Sequence, residues 1–208
     1  MKNLLLIKRI GSVLNEELGW SWPVFLIGSL FKSRAVFRKT HWSSQSAPEA
    51  EARYVKRLAL FPAIYLKLID RFGHQKALEV YQRIALAFGY ALLQQAFDSF
   101  NLSHFSGMER FLAYRARMDK GEADRFNVKE YLTVNETTCH YILKRCVAYD
   151  LFAEVGTPEL TRFFCQGDEK FFPVAFPDLI FTRGDSWENT IAYGKGHCEY
   201  QLKTKEAA

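Results

Sequence analysis

The spacing of the large apolar residues changes once along this chain, and that change divides what the chain can fold into. Tyr54, Leu58, Phe61, Tyr65, Leu68 and Phe72 recur at intervals of four, three, four, three and four, the repeat of one face of an α-helix. Pro62 inside that run predicts a kink and Gly73 ends it. Gln75 to Phe97 read as a second helix, apolar nearly all round from Ile84 to Leu93, which is the pattern of a central, buried helix. A third starts at Ser106-x-x-Glu109, the form of a capping box, turns Phe111 and Leu112 inward, and runs out at Asp119-Lys120-Gly121.

From Val128 the period becomes two. Val128 to Val134 and Thr138 to Cys146 read as strands of an antiparallel hairpin about Asn135-Glu136. Residues 147–155 read as helical or irregular. Thr157-Pro158-Glu159 joins a capping hydroxyl, a first-position proline and an acid in the first turn, so a short helix should begin there and stop at Gly167. Leu179 to Arg183 and His197 to Lys203 supply two more strands. Helices first and strands later predict an α+β fold, with N-terminal helices packed on a small antiparallel sheet of about four strands interrupted by one short helix.

The Ser-rich residues 40–50 are the candidate linker. The expected organisation is an N-terminal segment, 1–45, followed by a single α+β domain, 46–208, with helices over 50–120 and a candidate active-site region over 125–203. The first 40 residues hold seven Lys/Arg against Glu16 and Glu17, so they carry the whole formal net charge of +5. They also hold an apolar run from Trp20 to Phe31, shorter than the roughly 20 residues a spanning helix needs. Two readings of that run stand side by side: a buried segment, or one that docks residues 1–39 to a membrane surface or a protein partner. Nucleic acid is not an expected partner, because no basic-aromatic motif accompanies the charge. Four cysteines without a secretory signal pattern argue for reduced thiols and a cytoplasmic location, peripheral to the membrane if the docking reading holds.

The residues with reactive side chains gather in the last third. On the second strand Cys139, Tyr141 and Leu143 share one face, with His140 opposite; on the last, Cys198, Tyr200 and Leu202 share a face, with His197 and Glu199 opposite. Cys165 and Asp168 lie one helical turn apart at the expected helix end. Three thiols and a carboxylate could thus line one pocket. The cysteines lack paired zinc spacing, a buried small hydrophobe is the ordinary reading for each of them taken singly, and no metal or cofactor is expected. Phe171, Phe172, Phe176 and Phe181 suit either an apolar pocket or ordinary core.

Cys139, Gly156-x-Pro158-Glu159-Leu160, Cys165-x-x-Asp168 and Thr190-Ile191-Ala192-x-Gly194-x-x-x-Cys198-Glu199-Tyr200 together resemble the L-2-amino-thiazoline-4-carboxylic acid hydrolase family over roughly residues 125–203. The chain departs from the family's usual Thr-Leu-Ala at Ile191 and from its Cys-Asp-Phe at Glu199 and Tyr200. The resemblance implies a hydrolase that opens a carbon–nitrogen or carbon–sulfur bond of a small amino-acid-derived heterocycle. Cys165 and Asp168 would be catalytic, with Cys139, Tyr141, Arg183, Thr190, Cys198 and Tyr200 binding the substrate and Arg183 taking its carboxylate. Cys165 could attack as a thiolate, although a helix C-terminus disfavours that charge; Asp168 could instead act as base on water. A different reaction on the same scaffold, or a non-catalytic binding or assembly protein docked through its N-terminal segment, are the alternatives.

Overall fold

A computed structural model describes residues 2–121 and 124–206, with side chains from residue 8 onward. The outermost positions of the expected 1–45 and 46–208 segments, and the Lys2 side chain counted in the N-terminal charge, lie outside what is described. The fold is α+β, and the chain divides into two compact units, residues 1–91 with 148–164 and residues 92–147 with 165–208.

The first unit is helical. It holds α1 (Lys2–Leu18), α2 (Trp22–Arg38), α3 (Glu49–Leu58), α4 (Leu60–Phe72), α5 (His74–Ser99) up to Ala91, and the later α7 (Val147–Glu154) from Ala148. The four-three periodicity of Tyr54 to Phe72 is split between α3 and α4 by a break at Ala59. Pro62 therefore sits in the first turn of α4, where its missing N–H is harmless, and does not kink a longer helix. Phe61, Tyr65 and Leu68 are buried on the predicted face. Gly73 ends α4 at φ 77°, a left-handed conformation that glycine adopts without a Cβ penalty. Gly11 of α1 faces the Trp22 indole, 3.0 Å from where a Cβ would stand, so a larger residue would have to push the indole back by a few tenths of an ångström.

Within the Ser-rich stretch, Trp42 is buried and its indole N–H donates to the Glu51 carboxylate at 2.9 Å. A buried indole with its N–H satisfied anchors the segment.

The second unit carries the sheet. Its strands β1 (Val128–Val134), β2 (Thr138–Arg145), β3 (Leu179–Thr182) and β4 (Cys198–Thr204) lie in the order β1-β2-β4-β3, every neighbouring pair antiparallel. Asn135 closes the β1–β2 hairpin, its side-chain oxygen accepting from the N–H groups of Thr137 and Thr138. With the sheet go α6 (Gly107–Lys120), the end of α5, and α8 (Thr161–Ala175) from Cys165 onward. Ser106 occupies the N-cap of α6 but makes no side-chain capping bond.

Two expectations about α8 need correction. The single short helix between the strands is in fact α7 and the fifteen-residue α8, entered through a 3-10 turn at Pro158–Leu160. Gly167 does not stop it: the helix runs through Gly167 and Pro173 to Ala175. A mid-helix glycine costs about 1 kcal/mol, whereas burying Phe171 and Phe172 beyond it stabilises the continuation by roughly 1.5–3 kcal/mol each. Phe171, Phe172 and Phe176 pack edge-on with Phe97, Phe111 and Tyr114 at centroid distances of 5.3 to 6.0 Å. They are core. Phe181 joins them through Phe172 at 4.5 Å and extends the cluster to Trp187 at 5.4 Å and Tyr200 at 5.9 Å.

Candidate active site

Strand alternation places the site. In the β2–β4 pair Cys139 faces Leu202, Tyr141 faces Tyr200 and Leu143 faces Cys198, so these six side chains share the inner face of the sheet as their alternation predicts. His140 and Glu199 occupy the other face, 3.2 Å apart as an ion pair when the histidine is protonated. The same register separates two of the thiols. Cys139 lies four residues from Leu143, the partner of Cys198, which is about 13 Å along the strand. The three cysteines therefore do not line one pocket. Among the described residues no three His, Cys, Asp or Glu side chains are grouped to hold a metal ion.

Asp168, Arg183 and Tyr200 do come together. Arg183 follows β3 directly, is wholly buried, and donates through Nη2 to Asp168 Oδ2 at 2.8 Å and to the Tyr200 hydroxyl at 3.4 Å. The Tyr200 hydroxyl donates in turn to Asp168 Oδ2 at 3.3 Å. The guanidinium lies 4.3 Å above the Tyr200 ring and is flanked by Phe181 and Trp187, an arrangement in which the ring faces attract the cation. Tyr200 stacks on Tyr141 at 4.7 Å and 7°. Arg183 is therefore the buried centre of the arrangement, held by aromatic planes rather than by acids alone.

The chain after Arg183 is fixed by Gly184, whose φ is 71° and whose Cβ, if present, would meet a Glu199 carboxylate oxygen at 2.7 Å. Asn189 then bonds back to the Arg183 carbonyl at 2.9 Å. Beyond it, Thr190 is wholly buried and the Ile191 N–H donates to the Cys198 sulfur at 3.2 Å. The turn at Thr190-Ile191-Ala192 thus serves the structure by bringing a backbone donor onto a buried thiol.

Several polar atoms of this region lack partners. Arg183 Nε and Nη1, Thr190 Oγ1 and Tyr141 Oη are buried without a hydrogen bond among the described residues. Each such group left unmatched costs about 1–3 kcal/mol. Asp168 is partly exposed, and its Oδ1 accepts no hydrogen bond among the described residues.

Burial pushes the Asp168 carboxyl above its ordinary value, with Arg183 and Tyr200 pulling it back. Burial also pushes the Cys165 thiol up to about 12, although Arg183 lowers it, and the Cys198 thiol up to about 12, aided by Cys165. Cys165 and Asp168 are the fifth and eighth residues of α8, both well inside it. The helix C-terminus expected to oppose a Cys165 thiolate is not there; burial opposes it instead.

Sequence reasoning missed a second charged group. Arg115 of α6 pairs with Asp119 at 2.9 Å and with Asp124; Lys129 of β1 reaches Asp119 at 2.6 Å and Asp124 at 3.2 Å; the Tyr131 hydroxyl donates to Asp119. Arg115, Asp119 and Tyr131 line a cleft of about 300 Å³ with Leu112, Ala116 and Val134. Cys139 belongs to this neighbourhood: burial raises its thiol to about 11, with Arg115 lowering it and Asp119 raising it. The i, i+4 spacing of Arg115 and Asp119 and the shared parity of Lys129 and Tyr131 were the available signals.

The family model described as L-2-amino-thiazoline-4-carboxylic acid hydrolase matches residues 53–202. Among solved structures, a mutant Fe(II) unliganded H-NOX protein from K. algicida is similar over 97% of this chain and 95% of that one, at 10% identity and a TM-score of 0.38, a likeness too low to carry any argument. No curated protein matches.

Proposed function

Because the chain belongs to the L-2-amino-thiazoline-4-carboxylic acid hydrolase family, we infer that it hydrolyses a small cyclic isothiourea of that kind, with Asp168 as the base and Arg183 as the carboxylate anchor. The supporting observation is the buried arginine itself: one nitrogen is committed to Asp168 while Nε and Nη1 are unmatched. A ligand carboxylate would accept a charge-assisted hydrogen bond from one of those nitrogens. The Thr190 hydroxyl offers a further donor.

The reaction needs water added to the ring carbon between nitrogen and sulfur. Asp168 Oδ1 takes a proton from that water as its oxygen bonds to the carbon. The carbon–sulfur bond then breaks, the sulfur recovers that proton, the hydroxyl proton passes to the ring nitrogen as the carbonyl forms, and an open-chain N-carbamoyl-cysteine results. A carboxyl raised by burial is better matched to this work near neutral pH than an ordinary aspartate. Cys165 enters as a neutral thiol lining the site: at a pKa of about 12 the free thiolate needed for direct attack is scarce. The decisive assay supplies L-2-amino-thiazoline-4-carboxylic acid and reads thiol release, comparing the wild type with Asp168→Asn and Cys165→Ala. The reading expects the first variant to lose turnover by about 100-fold or more and the second to keep most of it. Turnover lost with Cys165→Ala and kept with Asp168→Asn would reverse the two roles.

A further inference from the structure

We propose that α2 is a docking surface for an anionic lipid bilayer, independent of the chemistry of the site. Five large apolar side chains of this segment face away from the first unit: Trp20 is fully exposed, and Val24, Ile27, Leu30 and Phe31 are 73%, 54%, 50% and 63% exposed. Val24, Ile27, Phe31 and Ala35 follow at spacings of three, four and four, so they form one continuous ridge on the outer side of the helix. The opposite side is committed, with Phe25, Ser29, Ser33 and Val36 buried. A contiguous apolar ridge of this kind marks an interaction surface, whereas scattered single exposures do not.

The charges around the ridge decide what covers it. Arg34 and Arg38 continue the same face toward the C-terminal end of α2, and Lys39 follows. Arg34, Lys56 and Arg57 line one groove with Ile27, Leu30 and Phe31; Lys67 and Arg71 line the other with Val24, Phe25 and Asp70, whose charge is taken by Lys32. Among the described residues Arg34, Arg38, Lys39 and Lys56 have no acidic partner, while the N-terminal acids Glu16 and Glu17 are taken by Arg83 and Lys76. An apolar stripe with cations along both flanks and an exposed tryptophan at one end fits an interfacial helix lying in the plane of anionic head groups. An apolar protein groove would match the stripe but leave Arg34, Arg38, Lys39 and Lys56 unanswered. Among the described residues no helix is long and apolar enough to cross a membrane, so the contact is with the surface.

Co-sedimentation of the full chain with phosphatidylcholine vesicles, with and without about a quarter phosphatidylglycerol, tests this. Binding is expected only to the anionic vesicles and should weaken as salt rises from about 0.1 to about 0.5 M. Arg34→Ala with Arg38→Ala should lower the anionic partition roughly thirtyfold, and Ile27→Ser with Phe31→Ser at least about tenfold. All four positions are exposed, and circular dichroism of the variants checks that the fold is kept. Absence of binding to anionic vesicles overturns the proposal, as does binding that ignores both pairs of substitutions. A concentration-dependent dimer that Ile27→Ser with Phe31→Ser dissolves, without vesicle binding, would assign the ridge to a second copy and overturn it equally.

Discussion

Arg183 commits one of its three guanidinium nitrogens to Asp168, at 2.8 Å, and keeps the other two buried and unmatched. The pair holds the carboxylate in place, and in the proposed mechanism it would couple the stability of the fold to the chemistry of the site.

Breaking that pair from one side should be costly. Arg183→Met leaves Asp168 without its cation, and a loss of about 3–5 kcal/mol is expected on removing one partner of a buried ion pair. The double change Arg183→Met with Asp168→Leu should recover most of that stability while remaining inactive, because a well-packed apolar pair often replaces a buried ion pair without loss. Denaturant unfolding of the three proteins is the check. A double variant no more stable than the single would show that the pair is not what the fold depends on here.

Tyr200→Phe keeps the ring stack on Tyr141 and removes the hydroxyl that donates to Asp168. That hydroxyl lowers the carboxyl pKa against the raising effect of burial. The acid limb of kcat/KM should therefore lie above the ordinary carboxylate value in the wild type and move higher still in the variant. The sign for stability is the same: a raised acid contributes stability that is fully present below about 3.8 and lost as pH rises through the folded pKa. An acid limb that stays put in Tyr200→Phe would detach the titration from Asp168.

Asp119 behaves oppositely. Burial alone would raise it, but Arg115, Lys129 and Tyr131 outweigh burial and hold it below 3.8. Its stability contribution is present above that value and lost as pH falls through the lower folded pKa. Asp119→Asn should thus destabilise the fold by on the order of 1–2 kcal/mol at neutral pH, and the difference should close in acid. Melting curves of both proteins across the acid range measure it.

The buried thiols should be poor nucleophiles in the free protein. At pH 8 a thiol at about 12, as for Cys165 and Cys198, is ionised roughly a thousandfold less than a free cysteine near 8.5. Iodoacetamide labelling followed by peptide mapping should leave both unmodified while the protein is folded. Rapid, selective labelling of Cys165 would restore the thiolate mechanism.

The sequence discloses these arrangements unevenly, for physical reasons. Period-two alternation put Cys139, Tyr141, Cys198 and Tyr200 on one face, because a strand leaves no other choice once its partner is known. It could not set the register, and register is what carries Cys139 about 13 Å from Cys198. Gly167 read as a stop because local signals weigh propensity; the aromatic core that Phe171 and Phe172 join beyond it is non-local and prevails. Arg183 was visible as a candidate, but nothing adjacent in the chain announces that Tyr200, Phe181 and Trp187 will enclose it. The Arg115–Asp119–Lys129 group joins a helix to a strand, and that pairing belongs to the tertiary structure alone.

The claim that Asp168 and Arg183 form the chemical centre meets its most direct test in one titration. L-2-Amino-thiazoline-4-carboxylic acid is added to the Asp168→Asn protein under calorimetry, beside Arg183→Met. Asp168→Asn should bind the compound while failing to release thiol from it, since the anchoring guanidinium remains; Arg183→Met should not bind it measurably. Equal binding by the two variants, or undiminished turnover by Asp168→Asn, would contradict the assignment.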